Sequence, residues 1–368
     1  MATSTGSLPP GTLKRLGDFT LADLEAVRLA LRGDSVIDWH RLDFATLDEV
    51  DSFLRANEFD PDDPLDLGRM THVKQEAIGY LRRQFHYPVP KPVEDATVRE
   101  LLLLASTKGH RQACACTILK AMHVIHHLEG RELLFVLPFS DQEVFRLVEE
   151  KVFRVIGQML AGGLPVVEFV GGRKNRDSLF TKLLSKQDTI AAQVYDKLRF
   201  RIVTRSKDDL LPVLEFLTKR LFPFNYVVPA QSTNNIIAFQ QTCETNPHLA
   251  PMLAHMQVGL HDDIANTDNR FSDSNYRVIH IVVDMPVRLS EELLAAAAPG
   301  SGQLGRIGFV ICEFQLVDEA TDQANELGDT SHEAYKSRQK KSVMQRLHLG
   351  DREDRVSGHR LGGPKRDR

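Results

Sequence analysis

Residues 308–317 read GFVICEFQLV, and this stretch decides the fold class. Apolar side chains fill most of its positions, which is typical of a strand buried inside a sheet. Glu313 and Gln315 are polar, and because they lie two positions apart a strand places both on one face. A carboxylate in a buried strand costs free energy unless it is paired or bound to a metal. Glu313 is therefore the first candidate for chemistry.

Further strands and helices alternate around this stretch. Apolar or alternating patterns predict three more strands, at Val166–Val170, Tyr195–Thr204 and Tyr276–Val287. Helical periodicity predicts helices at Asp177–Ser185, Asp208–Leu221 and Glu319–Arg338. This order of elements predicts an α+β fold with a mixed β-sheet, preceded by a mostly helical N-terminal region.

Composition and periodicity divide the chain into five parts. We expect a flexible tail, a helical region, a mostly helical segment, a mixed-sheet domain with a polar insert, and a basic disordered tail. These span residues 1–16, 17–92, 93–164, 165–339 (insert about 223–274) and 340–368. The Pro-rich residues Tyr87–Pro92 mark the first internal boundary, because each proline fixes its own φ and disfavours helix before it.

The third part is predicted in more detail. Helical periodicity over Val98–Leu128 is expected to end at Glu129 and Gly130, since glycine commonly follows a helix end. The apolar run Glu132–Leu137 then predicts a short strand. Asp141–Leu160 is predicted to be helical again.

The overall charge excludes some partners. There are 46 Lys and Arg against 50 Asp and Glu, a formal net charge of −4, so no dominant electrostatic attraction to nucleic acid or to anionic membrane is expected. Four cysteines are too few for a disulfide scaffold and suit a reducing compartment. No apolar run approaches the roughly 18 residues that a membrane span needs. We therefore expect a cytoplasmic protein without membrane contact.

A second candidate for chemistry is a basic helix start. Lys174, Ser178 and Lys182 are spaced by four, which places them on one helical face. After two glycines at a strand-to-helix junction, such a face can bind phosphates. A solvated basic face is the alternative. Asp196, at the head of an apolar strand, is either a structural partner or a ligand of Mg²⁺.

Four motifs follow one another in the second half: GGRKNRDS at 171–178, YDKLRFRIV at 195–203, YRVIH at 276–280 and EFQL at 313–316. In this order, and with His332, Tyr335 and Lys336 at fixed distances after Glu313, they resemble the synthetase domain of the RelA/SpoT family. The resemblance covers about residues 166–336 and is that of a divergent member. It implies a nucleotidyltransferase-like fold and a cytoplasmic transferase of the stringent response, a pyrophosphokinase that makes ppGpp or pppGpp.

The resemblance also implies roles for individual residues. Glu313 and Asp196 would be the catalytic residues and would hold the Mg²⁺ cofactor, with Glu313 as general base. Tyr276 would stack on the guanine of the acceptor. The residues implied in nucleotide binding are Arg173, Lys174, Ser178, Lys182, Arg201, Tyr276, His280, Gln315, His332 and Lys336. For Arg201, phosphate contact and sheet-edge pairing remain alternatives.

The chain departs from the family on the acceptor side. No lysine occurs between Lys219 and Lys336, where the family has part of its phosphate site. The expected function is ATP-dependent transfer of pyrophosphate to the 3′-hydroxyl of a guanine nucleotide. Two alternatives stay open: a toxin-like enzyme acting on tRNA 3′ ends, and a catalytically inactive nucleotide-binding regulatory module. A homo-oligomer and contact of the basic tail with RNA stay open as well.

Overall fold

The computed structural model describes residues 14–32, 44–138, 140–185, 197–228, 231–256, 275–296, 301–327 and 331–347. Most of the predicted flexible tail (1–16) therefore lies outside the described residues. Within the predicted insert, residues 229–230 and 257–274 lie outside them as well. Within the described ranges, no helix is both long and apolar enough to cross a membrane.

The N-terminal part is helical, as predicted. Its helices are α1 (Leu21–Arg32), α2 (Leu47–Ala56), α3 (Pro64–Phe85), α4 (Lys91–Glu94), α5 (Val98–Ser106), α6 (His110–Val136) and α7 (Asp141–Ala161). Local sequence explains several starts. Thr46 and Thr97 each form a capping box with a glutamate three residues later, and Asp63 caps α3 just before Pro64.

In the described part of the chain, five strands form one mixed sheet. They are β1 (Val166–Arg173), β2 (Leu198–Thr204), β3 (Thr233–Asn234), β4 (Ile279–Arg288) and β5 (Ile307–Asp318). Their order across the sheet is β1-β2-β5-β4-β3, with β2 and β5 parallel and the other pairs antiparallel. The predicted α+β fold with a mixed sheet behind a helical region is confirmed, and residues 308–317 form the central strand β5.

The remaining helices connect and flank the strands. They are α8 (Arg176–Ser185), α9 (Leu210–Arg220), α10 (Phe239–Thr245), α11 (Ala250–Leu253), α12 (Glu291–Ala295), α13 (Glu319–Asn325) and α14 (His332–Arg346). Because α14 runs to Arg346, the first residues of the predicted disordered tail are helical. Residues 348–368 lie outside the described part of the chain.

The predicted helix end at Gly130 and the strand at Glu132–Leu137 are wrong. Helix α6 continues through both, to Val136. Gly130 serves a close approach instead, because a Cβ there would lie 2.6 Å from the carbonyl oxygen of Ile307 and from Cδ2 of Phe309. The glycine lets α6 lie directly against β5. The sequence around Gly130 gives no sign of this contact, because β5 lies far along the chain.

One hydrophobic core crosses the predicted boundaries at residues 92 and 164. The same cluster of buried side chains contains Leu24 of α1, Ile118 of α6 and Phe314 of β5. Polar ties cross as well: the Lys151 ammonium, buried in α7, donates to the Pro286 carbonyl at 2.9 Å. The helical part and the sheet therefore pack as one body.

The predicted insert contributes to the sheet. Its residues Thr233 and Asn234 form the edge strand β3, which pairs with His280 and Ile279 of β4. Helices α10 and α11 follow, and Phe239 and Cys243 bring α10 into the core. Residues 257–274 of the insert lie outside the described residues.

Candidate functional site

A row of register partners crosses the whole sheet. Val170, Arg201, Gln315, His280 and Thr233 stand side by side on β1, β2, β5, β4 and β3. We call these five residues the cross-sheet row. Register partners project from the same face of a sheet, so the polar side chains of the row are neighbours although they are far apart in sequence.

A second set of register partners lies two residues further along the same strands. Here Arg199 of β2 stands beside Glu313 of β5, with Gly172 of β1 and Val282 of β4 on either side. Two residues further along a strand is the same face, so Arg199 and Glu313 adjoin the cross-sheet row. The alternation expected from sequence is thus realised: Leu198, Phe200 and Ile202 are fully buried, while Arg199 and Arg201 are partly exposed.

Glu313 is held in place by its neighbours. The residue is 6% exposed, and Oε1 accepts a hydrogen bond from Nε2 of Gln315 at 2.6 Å. Nε2 of His280 lies 3.3 Å from the same oxygen. A buried carboxylate with these partners has a fixed orientation, which suits a group that must accept a proton or a metal at a defined position.

The contact with Glu313 changes the pKa of His280. Burial lowers the pKa of His280, but the Glu313 carboxylate and its hydrogen bond outweigh burial, so that the pKa is raised above its usual value. A hydrogen bond to the Gln231 backbone acts in the same direction, and the positive charge of Lys182 acts against it. The predicted basic residue Lys182 therefore lies within electrostatic range of the row.

Two asparagines position the chain at Tyr276. The Asn235 amide donates to the Tyr276 carbonyl at 2.7 Å and accepts from the Val278 amide at 2.7 Å. The Asn325 side chain makes the same double contact with the backbone of Arg277, at 3.0 and 2.7 Å.

Sequence reasoning missed both asparagines, because no spacing ties either of them to β4. Tyr276 itself is partly buried. Burial raises the pKa of its hydroxyl, while the positive charges of Arg201 and Arg199 act against this. The predicted stacking residue therefore lies within electrostatic range of the β2 arginines.

Two predicted nucleotide-binding arginines have carboxylate partners. Arg201 forms ion pairs with Asp322 of α13 and with Glu326 just after it. Arg173, at the end of β1, makes a bidentate contact with Glu149 of α7, at 3.1 and 2.9 Å. These contacts fix both guanidinium groups, and they neutralise charge that an incoming phosphate would otherwise meet.

The other predicted residues lie at the edge of the sheet. The Lys174 amide donates to the Lys197 carbonyl at 2.9 Å, which ties the start of the basic segment to β2. Ser178 and Lys182 are one turn apart on α8 and partly buried, and Lys336 is exposed on α14, which packs against α8. Asp196 lies outside the described residues, and of His332 the structure describes only the backbone, at the start of α14.

Two polar side-chain atoms of the row are buried without a hydrogen-bond partner in the described part of the chain. Oε1 of Gln315 and Oγ1 of Thr233 are inaccessible to solvent and have no hydrogen-bond partner among the described residues. Leaving such atoms unpaired costs about 1–3 kcal/mol each. A ligand or ordered water that supplies hydrogen bonds at this end of the sheet would recover that free energy.

Of the two predicted Mg²⁺ ligands, Glu313 and Asp196, only Glu313 lies in the described part of the chain. The described part of the chain contains no group of three or more His, Cys, Asp or Glu side chains that could hold a metal ion. Mg²⁺ does not require such a group, since it is usually held by one or two carboxylates together with substrate phosphates and water. Glu313 is suited to be one of these carboxylates.

Comparison with known proteins gives weak likenesses to alarmone synthetases. No protein-family model and no curated protein matches the sequence. Small alarmone synthetase 2 from Bacillus subtilis is similar at 17% identity and a TM-score of 0.29, over 62% of this chain and 97% of that chain. A GTP pyrophosphokinase family protein from Streptococcus pneumoniae is similar at 16% identity and a TM-score of 0.29, over 60% of this chain and 94% of that chain.

A third similar structure carries a bound nucleotide. It is small alarmone synthetase 1 from Bacillus subtilis bound to its product pppGpp, at 16% identity and a TM-score of 0.29, over 58% of this chain and 90% of that chain. Because these identities and TM-scores are low, the function proposed below rests on the residues of the site.

Proposed function

We propose that this protein is an ATP-dependent pyrophosphokinase that transfers pyrophosphate to the 3′-hydroxyl of a guanine nucleotide. The observation that carries the proposal is the setting of Glu313. This carboxylate is buried on the central strand, is held by Gln315 and His280, and stands in register with Arg199. A fixed carboxylate beside cationic side chains is what deprotonation of a hydroxyl next to a polyphosphate requires.

The reaction divides between an acceptor side and a donor side. Glu313 accepts the proton of the 3′-hydroxyl, whose oxygen forms a bond to the β-phosphorus of ATP. The bond between that phosphorus and the oxygen bridging to the α-phosphate breaks, and AMP leaves. On the donor side, Lys174 and Lys182 bind the ATP phosphates. On the acceptor side, Tyr276 stacks on the guanine, and its backbone is positioned by Asn235 and by the contact of Asn325 with the neighbouring Arg277.

Mg²⁺ is the cofactor in this proposal. Glu313 and Asp196 would hold it, and when bound it neutralises the negative charge of the ATP phosphates. The contribution of the chain's own residues is orientation: Gln315 and His280 fix the carboxylate, and Arg199 adds positive charge next to it.

The 3′ end of a tRNA is a second acceptor that one observation favours. Arg201, on the face where the acceptor would lie, is already paired with Asp322 and Glu326. An acceptor with fewer phosphates near the reacting hydroxyl would need fewer free cations than GDP or GTP. The acceptor is therefore the variable that the first experiment must resolve.

The experiment uses the full chain with Mg²⁺ and ATP labelled in its β- and γ-phosphates. GDP, GTP and bulk tRNA are added separately, and both label transfer and AMP release are measured. Transfer to a guanine nucleotide supports the main proposal, and transfer to tRNA supports the second acceptor. Intact ATP binding without transfer or AMP release would instead indicate the inactive regulatory module.

A variant tests the assigned base. Glu313→Gln keeps the shape of the side chain but removes its basicity, so we expect turnover to fall by about 10²- to 10⁴-fold with ATP affinity nearly unchanged. Glu319→Gln, at an exposed carboxylate at the start of α13, is the matched control and should keep the wild-type rate. A wild-type rate in Glu313→Gln contradicts the assignment.

A further inference from the structure

Strand β2 carries two arginines on the face of the cross-sheet row, and their settings differ. Arg201 forms ion pairs with Asp322 and Glu326. Arg199 has no ion pair or side-chain hydrogen bond with any residue that the structure describes. It is partly exposed, and none of its nitrogens is among the buried polar atoms that lack a partner, so its guanidinium is open to solvent. Of the two, Arg199 is therefore the arginine that an incoming phosphate can reach.

Open space adjoins Arg199 on the side of the proposed ATP phosphates. Its register partner on β1 is Gly172, and a Cβ built there would meet no atom of the described residues within 4 Å. The basic segment that leads into α8 follows directly, with the Lys174 amide bonded to the Lys197 carbonyl of the chain entering β2. A phosphate group above Gly172 would therefore lie between the Arg199 strand and the proposed ATP-binding lysine.

On its other side Arg199 adjoins the proposed base. Arg199 and Glu313 are register partners on the parallel strands β2 and β5, so their side chains leave the same face of the sheet. The positive charge of Arg199 and the negative charge of Glu313 both act on the hydroxyl of Tyr276, just before β4. Both groups therefore lie over the site, and Arg199 stands between the open space at Gly172 and the base.

We propose that Arg199 is a catalytic residue that binds the pyrophosphate group during transfer, and that this role belongs to Arg199 rather than to Arg201. The inference rests on the proposed function. As the 3′-oxygen bonds to the β-phosphorus, its proton passes to Glu313. The bond from that phosphorus to the oxygen bridging to the α-phosphate breaks, and AMP leaves with that oxygen.

The position of the base places the attacked phosphorus near Arg199. That phosphorus must lie next to the hydroxyl that Glu313 deprotonates, and Arg199 is the register partner of Glu313. The guanidinium therefore donates to the non-bridging oxygens of the β-phosphate. A fixed donor at this place stabilises the charge that these oxygens carry in the transition state.

The test measures kcat and KM of the full chain with Mg²⁺, ATP and the acceptor that the wild-type protein uses. Arg199→Gln removes the charge, so we expect kcat to fall by about 10²- to 10³-fold. The KM of ATP should change by less than about threefold, since the contact is made chiefly in the transition state. Arg199→Lys keeps the charge but loses the planar fork, and it should recover part of the lost rate.

Two other arginines of the same strand region serve as comparisons. Arg201→Gln should lower kcat less than Arg199→Gln does, because Asp322 and Glu326 already hold the Arg201 guanidinium. Arg205 is exposed just after β2, and Arg205→Gln should keep the wild-type rate.

Thermal unfolding followed by circular dichroism reports whether each variant is folded. If Arg199→Gln is not, Arg199→Met, which keeps an unbranched apolar stem, takes its place. A folded variant with wild-type kcat, a raised KM of ATP at unchanged kcat, or a larger loss of kcat in Arg201→Gln overturns the assignment of Arg199 and leaves the proposed function intact. If the wild-type protein transfers label to none of GDP, GTP and tRNA, the proposed function fails and this inference fails with it.

Discussion

Replacing Gly130 by alanine tests the contact between helix and sheet on which the fold depends. Gly130 lies inside α6, where alanine would ordinarily stabilise the helix by about 1 kcal/mol. In this protein the added methyl group would meet the Ile307 carbonyl oxygen and Cδ2 of the Phe309 ring, each at 2.6 Å. Neither can move easily, because Ile307 belongs to β5 and Phe309 is fully buried between α6 residues and Tyr226.

The magnitude follows from these two opposing effects. Overpacking a rigid site costs about 1–3 kcal/mol, and a clash with backbone and a buried ring belongs at the upper end of that range. Subtracting the helix gain of about 1 kcal/mol leaves a net destabilisation of about 2 kcal/mol. When urea unfolding is followed by the helical circular dichroism signal, the midpoint of Gly130→Ala should lie at a lower urea concentration than that of the unsubstituted protein.

Gly157→Ala provides the matched control. Gly157 is also inside a helix, α7, but a Cβ there would meet nothing within 4 Å. The same substitution should stabilise by about 1 kcal/mol, so the two variants should differ by about 3 kcal/mol. If Gly130→Ala is as stable as Gly157→Ala, the close approach of α6 to β5 is refuted.

Two further substitutions have defined outcomes. Burial, together with the negative charge of Asp23, raises the pKa of Glu215 from 4.5 to about 7, so the folded state keeps a proton that the unfolded state loses, and stability should fall as the pH rises from about 4.5 to about 7 and then level off. Glu215→Gln should lack this fall in urea midpoints measured between pH 4.5 and 7, and an unchanged slope would contradict the burial argument. Asn325→Ala frees the Arg277 backbone and should raise the KM of the acceptor roughly tenfold. An equal rise in the KM of ATP would show that Asn325 does not act through Tyr276.

The sequence alone was sufficient for the central elements. Alternation along Leu198–Thr204 and apolar character along β4 and β5 predicted three strands of the sheet, because side-chain period and burial are local properties. It also identified Glu313 as an unusual carboxylate, since a glutamate among apolar strand residues needs a partner. The partners, Gln315 and His280, were among the predicted site residues, although their contacts with Glu313 were not.

Elements that depend on distant contacts were mispredicted or missed. Gly130 resembles a helix end in the local sequence, but the ring of Phe309, far along the chain, explains why a glycine stands there. Edge strand β3 has only two residues, Thr233 and Asn234, and it exists because β4 offers them a pairing edge. Asn235 and Asn325 likewise acquire their role only when β4 lies beside them.

The sequence by itself therefore determined most of the helices, the long strands of the sheet and the first candidate residues for chemistry, because these properties repeat over a few neighbouring positions. Only the tertiary structure decided the strand order β1-β2-β5-β4-β3 and the register that places Arg201, Gln315 and His280 in one row. It also decided that Arg201 is paired with Asp322. Register and packing join residues more than a hundred positions apart, and no local pattern encodes such a contact.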